Sequence, residues 1–438
     1  MVKDRKKRHR DMKKMFLCVS AVLVMSCCPV FAEDKVPAYT LSDCYELALK
    51  QSETVAINAQ LIKEAEAHFV QSLGLLLPHV SFTSTNTRKD YQHLDEDSFS
   101  ETPSREDKFV FKQTLFSGFK EFAGMSGSGM ERDQRINEKK RAEQLLLTDV
   151  CDAFYLLVEQ RENLAALDRA RSALRDRVKE LEEREKLGRS RHSEVVSAKA
   201  QLYSREADIE LASSQEAVAR ELLAFLIGRP VGEITYARGA LPVIDTEDSY
   251  VAKAESRPDV QADRQAWEVE KKKVVLARSG FFPTLSLESS YYTKHSAVLA
   301  DPEWSASLKL DVPIFNGTET LGAVQAAMAG RRKSELELRK TTRLAAREIR
   351  DTYAQLKAYI ARTEALKKAL DAAEMNYELQ KKDYSLNLVN NLEVLQAIET
   401  LQQAQRNHIS AMYETRRLYW HLLVATGENA AEKLHEPF

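Results

Sequence analysis

Residues that could perform chemistry are frequent in this chain, but their spacing fits no catalytic or metal site. The glycine cluster GMSGSGMER at 124–132 lacks the Lys of a phosphate-binding loop and follows no buried strand. Carboxylates are abundant, but they fall on the solvated faces of predicted helices. The histidines after residue 32 show neither close pairing nor Cys partners at metal-site spacing: His68, His79, His93, His192, His295, His408, His421 and His435. We therefore predict no enzyme, no cofactor and no bound metal.

The first 32 residues are typical of an export signal. A basic start precedes an apolar stretch, and VFA at 30–32 resembles a peptidase site, so the mature chain is predicted to begin at Glu33. An alternative is VMSC at 24–27, which resembles the lipoprotein box and would leave an acylated Cys27.

The net charge and the number of cysteines argue against some classes of protein. After residue 32 the chain carries 56 Lys and Arg against 64 Asp and Glu, a net charge of −8, which argues against a nucleic-acid partner. Cys44 and Cys151 are too few for a disulfide scaffold, and we expect free, buried thiols. No run of 18 apolar residues follows the signal, so no transmembrane helix is predicted.

Three pairs of segments recur at a separation of 199 residues, which indicates an internal duplication. They are QTLFSGF (from 113) with VPIFNG (from 312), EVVSAKAQL (194–202) with EVLQAIETL (393–401), and LLAFLIG (222–228) with HLLVATG (421–427). The predicted organisation is a signal peptide (1–32), repeat 1 (33–228), a connecting or equatorial segment (229–255), repeat 2 (256–428) and a C-terminal tail (429–438).

Each repeat contains two segments in which apolar and polar residues alternate, as in a half-buried strand. The predicted strands are 78–90, 108–116, 283–294 and 304–315, joined by outward loops at 91–107 and 295–303. About nine to eleven tilted residues span a bilayer, but four strands cannot close a barrel, so other copies of the chain must complete it. The alternative is a soluble protein with two amphipathic hairpins on a helical body.

The remainder of each repeat is predicted to be an exceptionally long helical hairpin. Residues 119–186 and 317–385 contain no proline, and Leu167, Leu174 and Leu181 show the seven-residue spacing of a coiled coil. Gly188 and Asn387 follow these helices, and both residue types accept the positive φ of a helix-ending turn. The predicted fold class is therefore mainly α with transmembrane β.

In order and doubled spacing, these motifs resemble the TolC-like outer-membrane efflux family. They are LLLPHVSF and GFFPTLSL before the first strands, LFSGF and PIFNG after the second strands, and SRPDV at the start of repeat 2. The similarity extends from Leu41 to Gly427. It implies a homotrimer in which twelve strands form one barrel in outer-membrane lipid, continued by an α-barrel of coiled-coil hairpins across the periplasm of a Gram-negative-type bacterium.

The resemblance also implies a function and partners. The chain would be a passive exit duct of a tripartite efflux or type I secretion system, working with a periplasmic adaptor protein and an inner-membrane transporter of the RND or ABC type. Two alternatives come from other classes. A periplasmic adaptor would carry one hairpin flanked by soluble β domains, without the duplication, and a soluble structural coiled coil would need neither the signal nor the strand pairs.

Site residues follow from the resemblance at the periplasmic end. The aperture and its gate are assigned to Glu194, Tyr384, Glu393 and Gln396. The Tyr384 hydroxyl is expected to bond the Glu194 carboxylate across neighbouring helices, and Glu393 would form an acidic ring that favours cations. Gln396 departs from the family, which is often acidic at that position. The turns expected to contact the adaptor comprise Leu187, Gly188, Arg189, Ser190, Leu386 and Asn387.

Overall fold

The computed structural model describes residues 38–87, 104–236, 241–294, 302–428 and 431–435. Repeat 1 contains helices α1 (Leu41–Gln51) and α2 (Glu53–Gly74), strands β1 (His79–Thr87) and β2 (Ser104–Ser117), and helices α3 (Lys120–Lys186) and α4 (His192–Ile227). Our predictions for residues 1–32, for 88–90 and for most of the two outward loops lie outside the described residues.

The connecting segment leads into repeat 2. It contains a short helix α5 (Glu247–Val251) and a 3₁₀ turn (Ala252–Ser256). Repeat 2 then forms α6 (Pro258–Arg278), a 3₁₀ turn (Ser279–Phe281), β3 (Thr284–Lys294), β4 (Trp304–Asp311), α7 (Glu319–Ser385) and α8 (Asn391–Ala425). A last 3₁₀ turn (Glu432–His435) lies in the tail.

The two long helices, α3 and α7, have 67 residues each and extend about 100 Å. Both follow a pair of residues in the left-handed conformation, Gly118–Phe119 and Gly317–Thr318. The helices consequently begin at 120 and 319, slightly later than the predicted 119 and 317. The repeated Phe-x-Gly motif therefore marks the joint where a strand becomes a helix.

In the described ranges, no helix combines the length and the apolar character that crossing a membrane requires.

The four predicted strands are present and form one antiparallel sheet in the order β1-β2-β3-β4. Two predicted bounds were wrong. β2 begins at Ser104, because 104–107 pair with β1 although their charged sequence resembles a loop, and Asp107 accepts a hydrogen bond from Ser84 Oγ (2.6 Å). β4 ends at Asp311, just before Val312-Pro313, since proline has no backbone N–H to continue the ladder.

Helix α3 is the centre of the helical layer. Towards the sheet it packs between α2 and α6, and towards the hairpin turns it packs between α4 and α8. Helix α7 packs against α6 and α8, so α2, α4 and α7 lie at the edges. The main core surrounds the fully buried Phe154, Tyr413 and Trp420.

Both described cysteines are free and buried in this core, as expected. Burial, together with the charge of Asp43, raises the pKa of the Cys44 thiol to about 12. Burial and the neighbouring Asp152 raise the pKa of Cys151 well above its ordinary value. Thiols that stay protonated are poor nucleophiles, so these residues serve packing.

Arg257 of the SRPDV motif, at the start of repeat 2, is hydrogen-bonded to the end of the same repeat. The buried Arg257 donates two hydrogen bonds to Asp259 (2.7 and 2.6 Å) and one to Glu348 (2.7 Å). It also donates to the backbone oxygen of Ala425 (3.3 Å), one of the unsatisfied carbonyls at the end of α8. A Cβ at Gly427 would lie 2.8 Å from the Arg257 Cα, so this position requires glycine.

Candidate functional site at the hairpin tips

The two helical hairpins end in turns of the same design. Gly188 (φ 71°) and Asn387 (φ 59°) adopt the left-handed conformation, which confirms the prediction for both residues. Arg189 N donates to Arg184 O (2.8 Å), and Leu388 N donates to Asp383 O (2.9 Å). These bonds satisfy the last carbonyls of α3 and α7 in the manner of a Schellman motif.

Apolar side chains are exposed at both turns. Leu187 is 70% exposed and Leu388 is 71% exposed, and Leu386 and Leu392 are also mostly exposed. We call these four residues the tip leucines. Leu388 and Leu392 were not predicted, although their apolar character beside a turn is the signal that could have identified them.

The predicted adaptor-contact residues lie on these turns. Leu187, Gly188, Arg189, Leu386 and Asn387 are exposed, whereas Ser190 is half-buried. The Ser190 hydroxyl donates to Glu194 (2.6 Å) in the first turn of α4, and its role in an adaptor contact stays a prediction.

A cluster of polar side chains joins the two hairpins just behind the turns. Arg177 of α3 is only 6% exposed, and its guanidinium carbon lies 3.5 Å from the centroid of the Tyr384 ring of α7. The guanidinium of Arg184 also lies over this ring, at 4.4 Å. Glu180 bonds both Arg177 (2.8 Å) and Arg184 (3.2 Å).

The same cluster reaches the first residue of α8. Arg177 Nε donates to Asn391 Oδ1 (2.9 Å), and Asn391 Nδ2 donates to the backbone oxygen of Glu194 (3.4 Å). We call Arg177, Glu180, Arg184, Tyr384 and Asn391 the tip latch. Since a desolvated cation–π contact contributes about 2 kcal/mol, the latch is a substantial link between the repeats.

The four predicted gate residues do not meet within one chain. Tyr384 is buried in the latch, and among the described residues no hydrogen bond joins it to Glu194. Glu393 caps its own helix, accepting from the backbone N–H of Asn390 (3.2 Å). Gln396 is exposed on α8. Because an aperture requires several copies of the chain, the roles of these residues stay predictions.

Sequence reasoning missed Arg177, although a signal was present. Arg177 lies between Leu174 and Leu181, at a spacing that places it on the buried face of α3. An arginine at a core position of a coiled coil requires a partner, and here the partners come from the other repeat.

A second charged cluster lies where α3, α4 and α8 meet, in a groove of about 490 Å³. His421 Nε2 contacts both carboxylate oxygens of Asp152 (2.8 and 3.0 Å), and Arg417 bridges Glu414 and Glu159. Among the described residues no group of His, Cys, Asp and Glu could hold a metal ion.

Known proteins resemble this chain in sequence and fold. The family model "Outer membrane efflux protein" matches residues 250–428. The alkaline protease secretion protein AprF of Pseudomonas aeruginosa is 24% identical over 86% of this chain and 82% of its own length. The outer membrane protein TolC of Vibrio cholerae is 21% identical over 92% of this chain and 93% of its own.

The fold resembles the crystal structure of the outer membrane protein VceC of Vibrio cholerae. The TM-score is 0.77 at 20% sequence identity, and the match covers 88% of this chain and 96% of that one. Likeness at this level of identity shows the fold. The family match over residues 250–428, the two relatives and the shared fold together make this chain similar to the TolC-like outer membrane efflux proteins.

Proposed function

We propose that this chain forms, as a homotrimer, the exit duct of a tripartite efflux or type I secretion system. The observation that carries the proposal is that a single chain ends in unpaired edges in both of its layers. The duct is passive, and the energy for transport comes from an inner-membrane transporter.

The sheet supplies the first pair of edges. β1 and β4 are the outer strands of the sheet, and among the described residues each has one side without a neighbouring strand. In lipid, every unpaired backbone N–H or C=O costs several kcal/mol, so β4 of one copy must pair with β1 of the next. Three copies would supply twelve strands and close the ring.

The helical layer supplies the second pair of open edges, which are the outer faces of α4 and α7. α4 exposes apolar residues every seven or eight positions: Val196, Tyr203, Leu211, Val218 and Phe225. α7 exposes a similar series: Leu321, Met328, Leu336 and Leu344. Apolar residues at heptad spacing are typical of a face that packs against another helix, so the edges of neighbouring copies complete the helical tube.

Aromatic residues at the strand–helix joints support the membrane position. Phe119, Phe122, Phe281 and Phe315 are exposed in the single chain. All four lie within a few residues of a strand end, at the level where a membrane barrel carries its girdle of aromatic residues. They would mark the periplasmic boundary of the lipid.

The tip leucines support an adaptor contact. Exposed leucines on a turn that projects away from the rest of the chain are typical of a docking surface for another apolar element. We propose that the periplasmic adaptor binds there, together with Gly188, Arg189 and Asn387. Contact with the inner-membrane transporter would occur through this assembly.

The tip latch supports a gated periplasmic end. Its bonds tie α3 of the first hairpin to α7 and α8 of the second, so it holds the turns of one copy together. Separation of the two hairpins requires the stacking on Tyr384 and the bond to Asn391 to break. Glu393 would then contribute one carboxylate per copy to the aperture.

The name of one relative supports a proposal about which class of substrate passes through the duct. The name of the Pseudomonas aeruginosa relative refers to secretion of alkaline protease, and the match covers most of both chains. This supports the secretion of a protein through this duct, with the efflux of small molecules as the other branch of the proposal.

Purification of the full chain from the outer membrane tests the proposal. We expect a trimer in detergent, by light scattering, that forms ion-conducting pores in a planar lipid bilayer. A stable monomer recovered without detergent from the periplasmic fraction would contradict it and would favour an adaptor or a soluble coiled coil.

A further inference from the structure

The end of α8 is capped by side chains of α3. Arg141 Nη1 donates a hydrogen bond to the backbone oxygen of Val424 (3.0 Å), and Gln144 Nε2 donates to that of Gly427 (3.0 Å). The last carbonyls of a helix have no partner within the helix, and the helix dipole makes this end negative. Donor side chains from repeat 1 therefore satisfy the end of repeat 2.

The equivalent end of α4 has no such cap. At the repeat spacing of 199 residues, Val424 and Gly427 correspond to Phe225 and Gly228, and both glycines have positive φ. Among the described residues, no donor forms a hydrogen bond with the backbone oxygen of Phe225 or Gly228. These two carbonyls are therefore open to a donor from another copy of the chain.

The residues of α7 that correspond to Arg141 and Gln144 are both cationic, Lys340 and Arg343. Both side chains are exposed, and in the described part of the chain neither forms an ion pair or a side-chain hydrogen bond. Lys340 lines the same surface groove as Leu336, which belongs to the exposed apolar series of α7. Other cations of α7 are also exposed, but these two occupy the positions that cap α8 in the other repeat.

The two repeats keep the same register along the helical layer. α3 and α7 have 67 residues each, and they begin 199 residues apart. α4 and α8 also begin 199 residues apart, at His192 and Asn391. Because α3 packs against α8 within one copy, α7 of one copy is expected to pack against α4 of the next copy in the same register.

We propose that Lys340 and Arg343 of one copy cap the end of α4 in the neighbouring copy, by donating to the backbone oxygens of Phe225 and Gly228. This inference rests on the proposed homotrimer and names a polar contact at its helical edge. Within the described residues, one copy has an uncapped helix end at one edge and two unpaired cations at the other, so each contact between copies supplies both missing partners. Cations stabilise the negative end of a helix and hydrogen-bond its last carbonyls.

The alternative is that Lys340 and Arg343 belong to an ordinary solvated face of α7. In that case the contact between copies depends on apolar residues alone, and the charge at these two positions does not affect assembly. The two roles therefore differ in where Arg343 lies relative to the next copy and in the effect of reversing its charge.

Cross-linking of the full-length protein tests the position of Arg343. Gln144 also donates to the backbone oxygen of Glu428 (3.2 Å), and the residue equivalent to Glu428 is Arg229. With Arg343→Cys and Arg229→Cys in the same chain, a short bis-maleimide should join neighbouring copies, and denaturing electrophoresis should show linked dimers and trimers. The matched control combines Arg229→Cys with Lys357→Cys and should stay monomeric, because Lys357 is exposed about 21 Å further along α7.

The described native cysteines, Cys44 and Cys151, are buried and should not compete for the reagent. A trimer by light scattering that gives no link at the cysteine pair overturns the cap and leaves the proposed duct standing. Absence of a trimer in wild-type protein overturns both.

Charge reversal tests the contribution of the cap to assembly. Lys340→Glu with Arg343→Glu puts carboxylates beside the negative end of α4, so we expect the trimer in detergent to dissociate at least about tenfold faster. Arg343→Gln should stay within about twofold of the wild-type rate, because Gln144 makes the equivalent contact in repeat 1. The matched control, Lys381→Glu with Arg406→Glu, reverses two exposed cations away from the cap and should also stay within about twofold. Equal rates for all three variants overturn the cap, and if the reversed variant does not assemble, cross-linking of the cysteine pair decides the question.

Discussion

One side chain, Arg177, makes several of the contacts that join the two hairpins at their tips. It stacks on Tyr384, bonds Asn391 and shares Glu180 with Arg184, all while almost fully buried. No other residue type provides both the flat cation and the fixed set of donors that this position uses.

Substitution of Arg177 should therefore destabilise the tips. We expect Arg177→Ala to lower the free energy of unfolding by about 2–4 kcal/mol, because it removes the stack and leaves buried partners unpaired. The control is Arg175→Ala on the exposed side of α3, where the change should be within about 0.5 kcal/mol. Thermal or denaturant unfolding of the detergent-solubilised protein measures both. Equal effects of the two substitutions would reject the latch.

Gly188 offers a test of the adaptor contact. A Cβ added to Gly188 would have no atom within 4 Å. A side chain at this position is therefore disfavoured by the positive φ of the backbone and not by a clash with neighbouring atoms. Gly188→Trp is expected to abolish export while the trimer still assembles. Gly188→Asn should retain export, because Asn387 holds the same conformation in the other turn. Unchanged export by Gly188→Trp would remove this turn from the docking surface.

At the scale of elements, α3 and α8 are held together by charge pairs as well as by the core. Burial by itself would lower the pKa of His421, and the charge of Arg417 acts in the same direction. The hydrogen bond to Asp152 and the negative charges of Asp152 and Glu414 outweigh both effects, so the pKa of His421 is raised above its ordinary value. α4 contributes apolar Leu222 and Leu226 to this groove. The pair is therefore stronger when His421 is protonated.

This raised pKa predicts a pH dependence. His421 contributes stability fully below its unfolded pKa of about 6.5, and the contribution is lost as pH rises through the higher folded pKa. The advantage of wild type over His421→Gln in melting temperature should therefore shrink from pH 5.5 to pH 8, an effect within about 1 kcal/mol because the pair is partly exposed. In an Asp152→Asn background the advantage should no longer shrink in this way. A difference that grows with pH would contradict the assignment.

At the scale of the whole molecule, the exposed edge of α4 is a surface that the proposed trimer would use for assembly. Phe225 is 79% exposed in the single chain, which is unusual for a phenylalanine within a helix. In the proposed trimer it packs against the neighbouring copy. The same edge carries the heptad series along the length of α4.

Phe225→Asp should prevent trimer formation, because a carboxylate would be buried between copies without a partner. Val243→Asp is the matched control, since Val243 is exposed in the connecting segment and lies on no helix edge. Light scattering in detergent measures both variants. A stable trimer of Phe225→Asp would show that this edge does not form the contact.

The features that the sequence determined by itself are mostly those that depend on residues close together along the chain. The separation of 199 residues, the glycines at the strand–helix joints and the positive φ of Gly188 and Asn387 follow from residue type and near neighbours. The heptad spacing predicted the long helices for the same reason, since helix periodicity is a short-range property. The number of strands was predictable, and the order of helices and strands along the chain supported the resemblance to a family.

Only the tertiary structure decided which distant residues meet. Arg177 and Asn391 are 214 positions apart, and nothing local to either predicts the other. Residues 104–107 resemble a charged loop, yet they extend β2 because all four pair with β1 and Asp107 also pairs with Lys294 of β3. Within this chain Tyr384 lies under the guanidinium groups of Arg177 and Arg184, while the gating role that the family resemblance assigned to Tyr384 and Glu194 stays a prediction. The reason is physical: the free energy of a buried polar contact depends on which groups the fold brings within a few ångströms, and that depends on the whole packed chain.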